Sequence, residues 1–211
     1  DDPILELDPD DTAFVHKVVT QILKFINELA GEGRELHPYQ AEFAYRIIES
    51  IVINDGEELT ALFSRQSGKT ETIADVVAGL MILLPKLARI YPAWFEKFRD
   101  GFWVGVFAPV EDQAATLFGR IVHRLTSEHA MEIFADPEID DEPKGGGKLI
   151  TLKKSGSFAR MQTANPKASI ESKSYHMIVI DEAQKADERV VRKSIHPMGA
   201  YYNATIVKTG T

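Results

Sequence analysis

Apolar residues recur at helical spacing near the start of the chain: Phe14, Val15, Val18, Val19, Ile22, Phe25, Ile26 and Leu29. That spacing predicts an amphipathic helix capped by Asp10 and Asp11 and closed by "GEGRE" at 31–35. A second helix is predicted from Pro38 to about Asn54 through Phe43, Ile47, Ile48 and Ile51. Proline suits a first helical turn because its fixed φ is already helical. The pattern then shortens. "LTALFS" (59–64), "FWVGVFAP" (102–109), "HMIVID" (176–181) and "ATIVKTGT" (204–211) are short apolar runs that read as buried strands. Helices are predicted between them: one from Lys69 to about Leu84, disturbed at Pro85, a short one at "YPAWFEKF", and the amphipathic "EDQAATLFGRIVHRLTS". "KLITLKKSGSFARMQTA" reads as two strands around a "KSGS" turn, and "ADPEIDDEPKGGGK" (135–148) as a loop. Buried strands alternating with helices predict the α/β class: a mainly parallel sheet with helices on both faces.

Composition narrows the reading. At 211 residues, 44 % hydrophobic and 27 % charged, the chain can bury a core without covalent staples. It has no cysteine, which excludes a disulfide framework and a thiolate metal site. The longest apolar run, "VVAGLMILL" (76–84), is too short to span a bilayer, and the acidic first residues do not read as a secretory signal, so no membrane partner is expected. The formal net charge of −8 disfavours nucleic-acid binding over the whole surface. Contact with nucleic acid would need a local patch, another domain or another subunit.

The stretch "LTALFSRQSGKT" (59–70) carries candidate chemistry. It ends as a phosphate-binding loop does, with Gly68, Lys69 and Thr70, but Phe63 stands at the usual first glycine. The tripeptide alone is weak evidence. Its place between a buried strand and a helix is the geometry that phosphate binding needs, because backbone N–H groups at a helix N-terminus point at the anion. The loop would comprise Ser64, Arg65, Gln66 and Ser67 as well. Gly68 allows close backbone approach, Lys69 can reach the β- and γ-phosphates, and the Thr70 hydroxyl can ligate Mg²⁺. The bland alternative is a lysine facing water at a helix start.

"MIVIDEAQ" places Asp181 and Glu182 at the end of a buried strand, where ligands of parallel sheets bind. Two carboxylates there are costly without a cation. With Mg²⁺ and ATP bound, Asp181 can hold the metal through its water shell and Glu182 can polarise the attacking water. The alternative is an Asp-Glu pair capping the next helix. In "LHPYQ", Gln40 offers a donor and an acceptor that match the N6/N7 edge of adenine, or is a surface residue. In "VKTGT", Thr209 and Thr211, around Gly210, could sense the γ-phosphate, or simply end a strand.

These residues resemble the large terminase subunits, ATP-driven motors that package viral DNA. "SRQSGKT" resembles their variant Walker A, "IVIDEAQ" their Walker B with catalytic glutamate, "VKTGT" their coupling motif, "LHPYQ" their adenine motif and "FAPVEDQA" the segment after the second strand. The resemblance runs from about residue 36 to the end. It implies a RecA-like, additional-strand P-loop ATPase core at 36–211, behind an N-terminal helical extension at 1–35, with the coupling strand between the Walker A and Walker B strands. It also implies ATP and Mg²⁺ as ligands, Lys69 and Glu182 as catalytic residues, and Arg65 acting in cis on the developing phosphate charge; for Arg65 a salt bridge that shapes the loop is the alternative. The implied partners are double-stranded DNA, a portal protein, a small terminase subunit and further copies in a ring on the procapsid, in the host cytoplasm.

The chain also departs from that pattern. Where many terminases carry an Arg-Gly pair before Walker B, this sequence has "SIESKSYH", with Glu171 and no arginine. Lys173 and Arg160 remain as candidates, and neither is assigned the role. The sequence stops at the coupling motif, so a last ATPase strand, a lid and a nuclease domain are expected to follow in the native gene product. A superfamily 2 helicase also uses an upstream glutamine and a DEA-type Walker B, but usually has a Ser-Ala-Thr coupling motif where this chain has Thr-Gly-Thr. A regulatory module that binds nucleotide without turnover would have no need of Glu182.

Overall fold

The computed structural model describes residues 9–64, 67–134, 139–144, 147–164 and 173–210. Helices α1 (Pro9–Ala30) and α2 (Pro38–Ile53) come first, then strand β1 (Glu58–Leu62), helix α3 (Lys69–Ile90), a short α4 (Pro92–Phe95), β2 (Trp103–Ala108) and α5 (Glu111–Thr126). There follow α6 (Glu128–Phe134), β3 (Ile139–Lys144), β4 (Gly147–Leu152), β5 (Phe158–Thr163), β6 (Met177–Ile180), a run of short helical turns over 183–200, and β7 (Thr205–Gly210).

The seven strands form one sheet in the order β1-β7-β6-β2-β5-β4-β3. The five strands from β1 to β5 in that order pair in parallel, and β4 and β3 add an antiparallel hairpin edge. β7 is inserted between β1 and β6, which is the expected RecA-like, additional-strand order. Alternate residues of β6 serve two cores: Met177 and Val179 join the layer built with α1, α2, α3 and α5, while Ile178 and Ile180 join Val190, Val191, Ile195 and Met198 on the other face. Helical cover of the second face thus comes from short turns. α1 packs in the first core through Val15, Val19, Ile22, Ile26 and Leu29.

Three expectations change. α3 does not stop near Leu84 but continues through Pro85 to Ile90. Proline removes the N–H that would bond the carbonyl four residues back. The Ser157 hydroxyl replaces it, donating to the Met81 carbonyl at 2.8 Å. The segment read as a loop at 135–148 contains β3 and the start of β4. β3 is held by the backbone ladder from β4. As an edge strand it can carry acidic residues and a proline that a central strand could not. Finally, β1 ends at Leu62, two residues earlier than the apolar run suggests.

Candidate functional site: a lysine–carboxylate cleft at the strand ends

β1, β6 and β7 are parallel neighbours, so their C-terminal ends bring three distant segments together. Gly68 starts α3 with φ +75°, in the left-handed region, and a Cβ there would lie 2.3 Å from Gln40 Nε2. Glycine is therefore favoured by the backbone conformation, and a Cβ there would also displace the Gln40 amide. Lys69, only 7 % exposed, opens α3 and turns onto the end of β6. Its Nζ lies 2.7 Å from Asp181 Oδ1 and 3.2 Å from Glu182 Oε1.

Asp181 Oδ1 also accepts the Thr209 hydroxyl at 2.8 Å and the Glu182 N–H at 3.0 Å. Glu182 Oε2 accepts Gln184 Nε2 at 2.8 Å and lies 3.3 Å from Lys185 Nζ. Burial is the largest influence on the Glu182 carboxyl and raises its pKa. The hydrogen bonds and charges of Lys69 and Lys185 together outweigh burial and leave the pKa below the usual carboxylate range. Glu182 also has φ +51° and ψ +43°, a left-handed conformation that costs an ordinary residue of order 1 kcal/mol. Strain of this kind persists where surrounding contacts over-determine it, and here five described groups hold the pair of carboxylates.

Lys69, Thr70, Asp181 and Glu182 line one cleft of about 350 Å³, together with Ser64, Ser67 and Gly68. A second hollow, about 750 Å³, lies against the open edge of β1 and shares only Ser64 and Ser67 with the cleft. Gln40 is buried beneath the loop. Its Nε2 donates to the Ser67 carbonyl at 3.1 Å and its Oε1 accepts the His37 N–H at 2.8 Å. Tyr39 adds a second bond to the Ser67 carbonyl, at 2.7 Å. One amide N–H and one carbonyl lone pair of Gln40 are not used by these two bonds.

Thr209 is 1 % exposed and sits behind Asp181, so its hydroxyl addresses the carboxylate and does not line the cleft. At Gly210 a Cβ would meet Gln184 Oε1 at 2.3 Å, so the bare backbone makes room for the glutamine that holds Glu182. Arg65, Gln66 and Thr211, singled out in the sequence, lie outside the described residues.

Sequence reasoning missed the contribution of α5. Gln113, Thr116 and Arg120, spaced three and four residues apart, line the cleft from that helix. Arg120 pairs with Glu71, and Arg124 binds Asp75 at 2.6 Å, tying α5 to α3. Burial, more than Arg124 can offset, pushes Asp75 up to about 6. The alternation of polar residues on one face of α5 was visible, but not the helix that this face would meet.

No protein-family model matches the sequence, and no curated protein matches it either. Solved structures do. The ATPase domain of the large terminase of Thermus phage P74-26 superposes with a TM-score of 0.62 at 21 % identity, over 89 % of this chain and 68 % of that one. The HK97 bacteriophage large terminase gives 0.65 at 16 % identity, over 92 % of this chain and 37 % of that one. This chain has the fold of large terminase ATPase domains. The large terminase of the thermophilic bacteriophage D6E agrees at 0.51 and 11 % identity, with 90 % and 38 % covered. The chain thus spans little more than a third of the HK97 and D6E proteins. Among the described residues, no helix is long and apolar enough to cross a membrane.

Proposed function

We propose that this chain is the ATPase domain of a large terminase subunit, hydrolysing ATP to drive double-stranded DNA into a viral procapsid. The observation that carries the reading is Lys69 held against Asp181 and Glu182 at the ends of β1 and β6, with Thr209 of the intervening β7 bonded to Asp181. Terminase-like topology, and the start of α3 at Lys69 shortly after β1, support it.

The residues fit a Mg²⁺–nucleotide ligand. Two buried carboxylates and the Thr70 hydroxyl offer the oxygen donors that Mg²⁺ takes, and Lys69 beside them can pass to the phosphates. Thr70 and Asp181 would hold the ion; when bound, it would neutralise charge developing on the phosphates. Lys69 would exchange its carboxylate partners for phosphate oxygens. Glu182 would then lose its nearest cation and become the group that orients and accepts a proton from the attacking water. Gln184 and Lys185 keep the Glu182 side chain in place through that exchange. Gln40, fixed to the loop, would read adenine with its remaining donor and acceptor, and Arg65 and Gln66 would complete the phosphate cradle.

A ring of copies on the procapsid, a portal protein, a small terminase subunit and the host cytoplasm belong to the same proposal. So does a longer native product with a lid and nuclease domain. A neighbour or an absent domain would supply the DNA contacts that a chain of net charge −8 needs.

Glu182→Gln tests the reading directly. The amide keeps the shape and the bond from Gln184 but cannot take a proton. Phosphate release should fall roughly 10²- to 10⁴-fold while ATP binding by calorimetry persists. Hydrolysis by the variant at the parent rate would remove Glu182 from the mechanism.

A further inference from the structure

We infer that Arg120 is a second cation for the phosphate chain, one that exchanges its bond to Glu71 for a bond to phosphate when nucleotide binds. The inference rests on the nucleotide reading of the cleft. Among the described residues lining the cleft, the cations are Lys69 and Arg120. Lys69 already faces two carboxylates. A nucleotide adds further negative charge, and the planar guanidinium suits phosphate through paired hydrogen bonds.

The geometry makes the exchange cheap. Arg120 and Glu71 form an ion pair whose side chains are 42 % and 45 % exposed. Exposed pairs of this kind contribute little and break readily. Glu71 also has a second partner. Arg124 Nη2 lies 3.5 Å from Glu71 Oε2. Arg124 is itself only 8 % exposed and fixed by Asp75 at 2.6 Å and the Ala30 carbonyl at 3.3 Å. Arg120 can therefore leave without stranding a carboxylate. Glu71 stands in the first turn of α3, two residues after Lys69, so the path from latch to phosphate is short. Gln113 and Thr116 stand on the same face of α5 and line the same cleft.

The opposing reading makes Arg120–Glu71 a staple of α5 to α3, with no ligand role. The two differ in sign. Calorimetric titration with Mg²⁺ and a non-hydrolysable ATP analogue, on the whole chain, separates them. Arg120→Ala should weaken binding roughly tenfold, the scale of one charged hydrogen bond. Glu71→Gln should tighten it roughly two- to fivefold, because the latch is released. The double variant should bind like Arg120→Ala alone. Weakening by both single variants alike, or unchanged affinity in Arg120→Ala, would overturn the inference. Unfolding midpoints without nucleotide accompany each titration. If Arg120→Ala does not fold, the direction of the Glu71→Gln change decides. Lys69→Ala serves as the control for the underlying reading. Parent-like binding by Lys69→Ala would discard the nucleotide site itself, whereas loss there with no change in Arg120→Ala discards only this inference.

Discussion

Ser157→Ala should destabilise the fold far more than loss of one hydroxyl suggests. Ser157 is fully buried and precedes β5. Its Oγ donates to the Met81 carbonyl at 2.8 Å and accepts the Phe102 N–H at 2.9 Å. Pro85 cannot supply the helical bond that Met81 would otherwise accept. The alanine variant would leave a carbonyl and an N–H buried without these partners. Each such group costs about 1–3 kcal/mol, so the pair sums to about 2–6 kcal/mol. At about 2–4 °C per kcal/mol for a chain of this size, the melting midpoint should fall by roughly 4–24 °C. Urea unfolding measures the free energy and a thermal melt the midpoint. A second variant fixes the cause. Pro85→Ala restores an N–H to Met81, so the double variant should be less destabilised than the sum of the singles by about 1 kcal/mol. A Ser157→Ala loss under about 0.5 kcal/mol, or strict additivity in the double variant, would refute the account.

Two further outcomes are expected. His176 packs among Phe98, Phe102, Trp103 and Tyr202, and its Nδ1 accepts the Trp103 N–H at 3.0 Å. Burial, with a smaller push from Lys97, lowers its pKa to about 3. The unfolded chain takes up that proton near pH 6.5 and the folded chain does not, so stability is full above about 6.5 and falls toward pH 3, by up to about 1.4 kcal/mol per unit. His176→Asn should lose that share of the acid slope in urea unfolding at pH 7, 6 and 5; an unchanged slope would exclude His176 as its source. Gln40→Ala should weaken ATP more than GTP in competition binding, and an unaltered preference would leave Gln40 only its bonds to Ser67 and His37.

The central strands were legible because parallel strands buried on both faces must be apolar throughout, as Met177–Ile180 is. β3 was not, because the ladder that holds it is made of backbone and its acidic sequence says nothing of pairing. The path of α3 beyond Pro85 depends on Ser157, whose Oγ lies 76 residues further along the chain than the carbonyl it caps. No local pattern encodes that contact. The turns over 183–200 are too short to show a period. In the site, Asp181 and Glu182 were legible because they follow an apolar strand that their own neighbours define, and Lys69 because it opens the helix after another such strand. Arg120 was not, since its relevance arises only where α5 packs on α3.

The insertion of β7 between β1 and β6 sets the order in which the molecule can be made. Glu58 and Lys208, 150 residues apart in sequence, join across the β1–β7 pair at 2.6 Å. Among the described residues β1 pairs with β7 alone, so the N–H and C=O groups it turns toward β7 wait until nearly the whole described chain has emerged. Closing so long a loop before any bond rewards it makes assembly slow. The same late step brings Thr209 to Asp181. The lysine–carboxylate cluster and the β1 edge of the sheet should therefore mature together, late among the described strands, and a nascent chain should show neither nucleotide affinity nor protease resistance around β1 until β7 has cleared the ribosome.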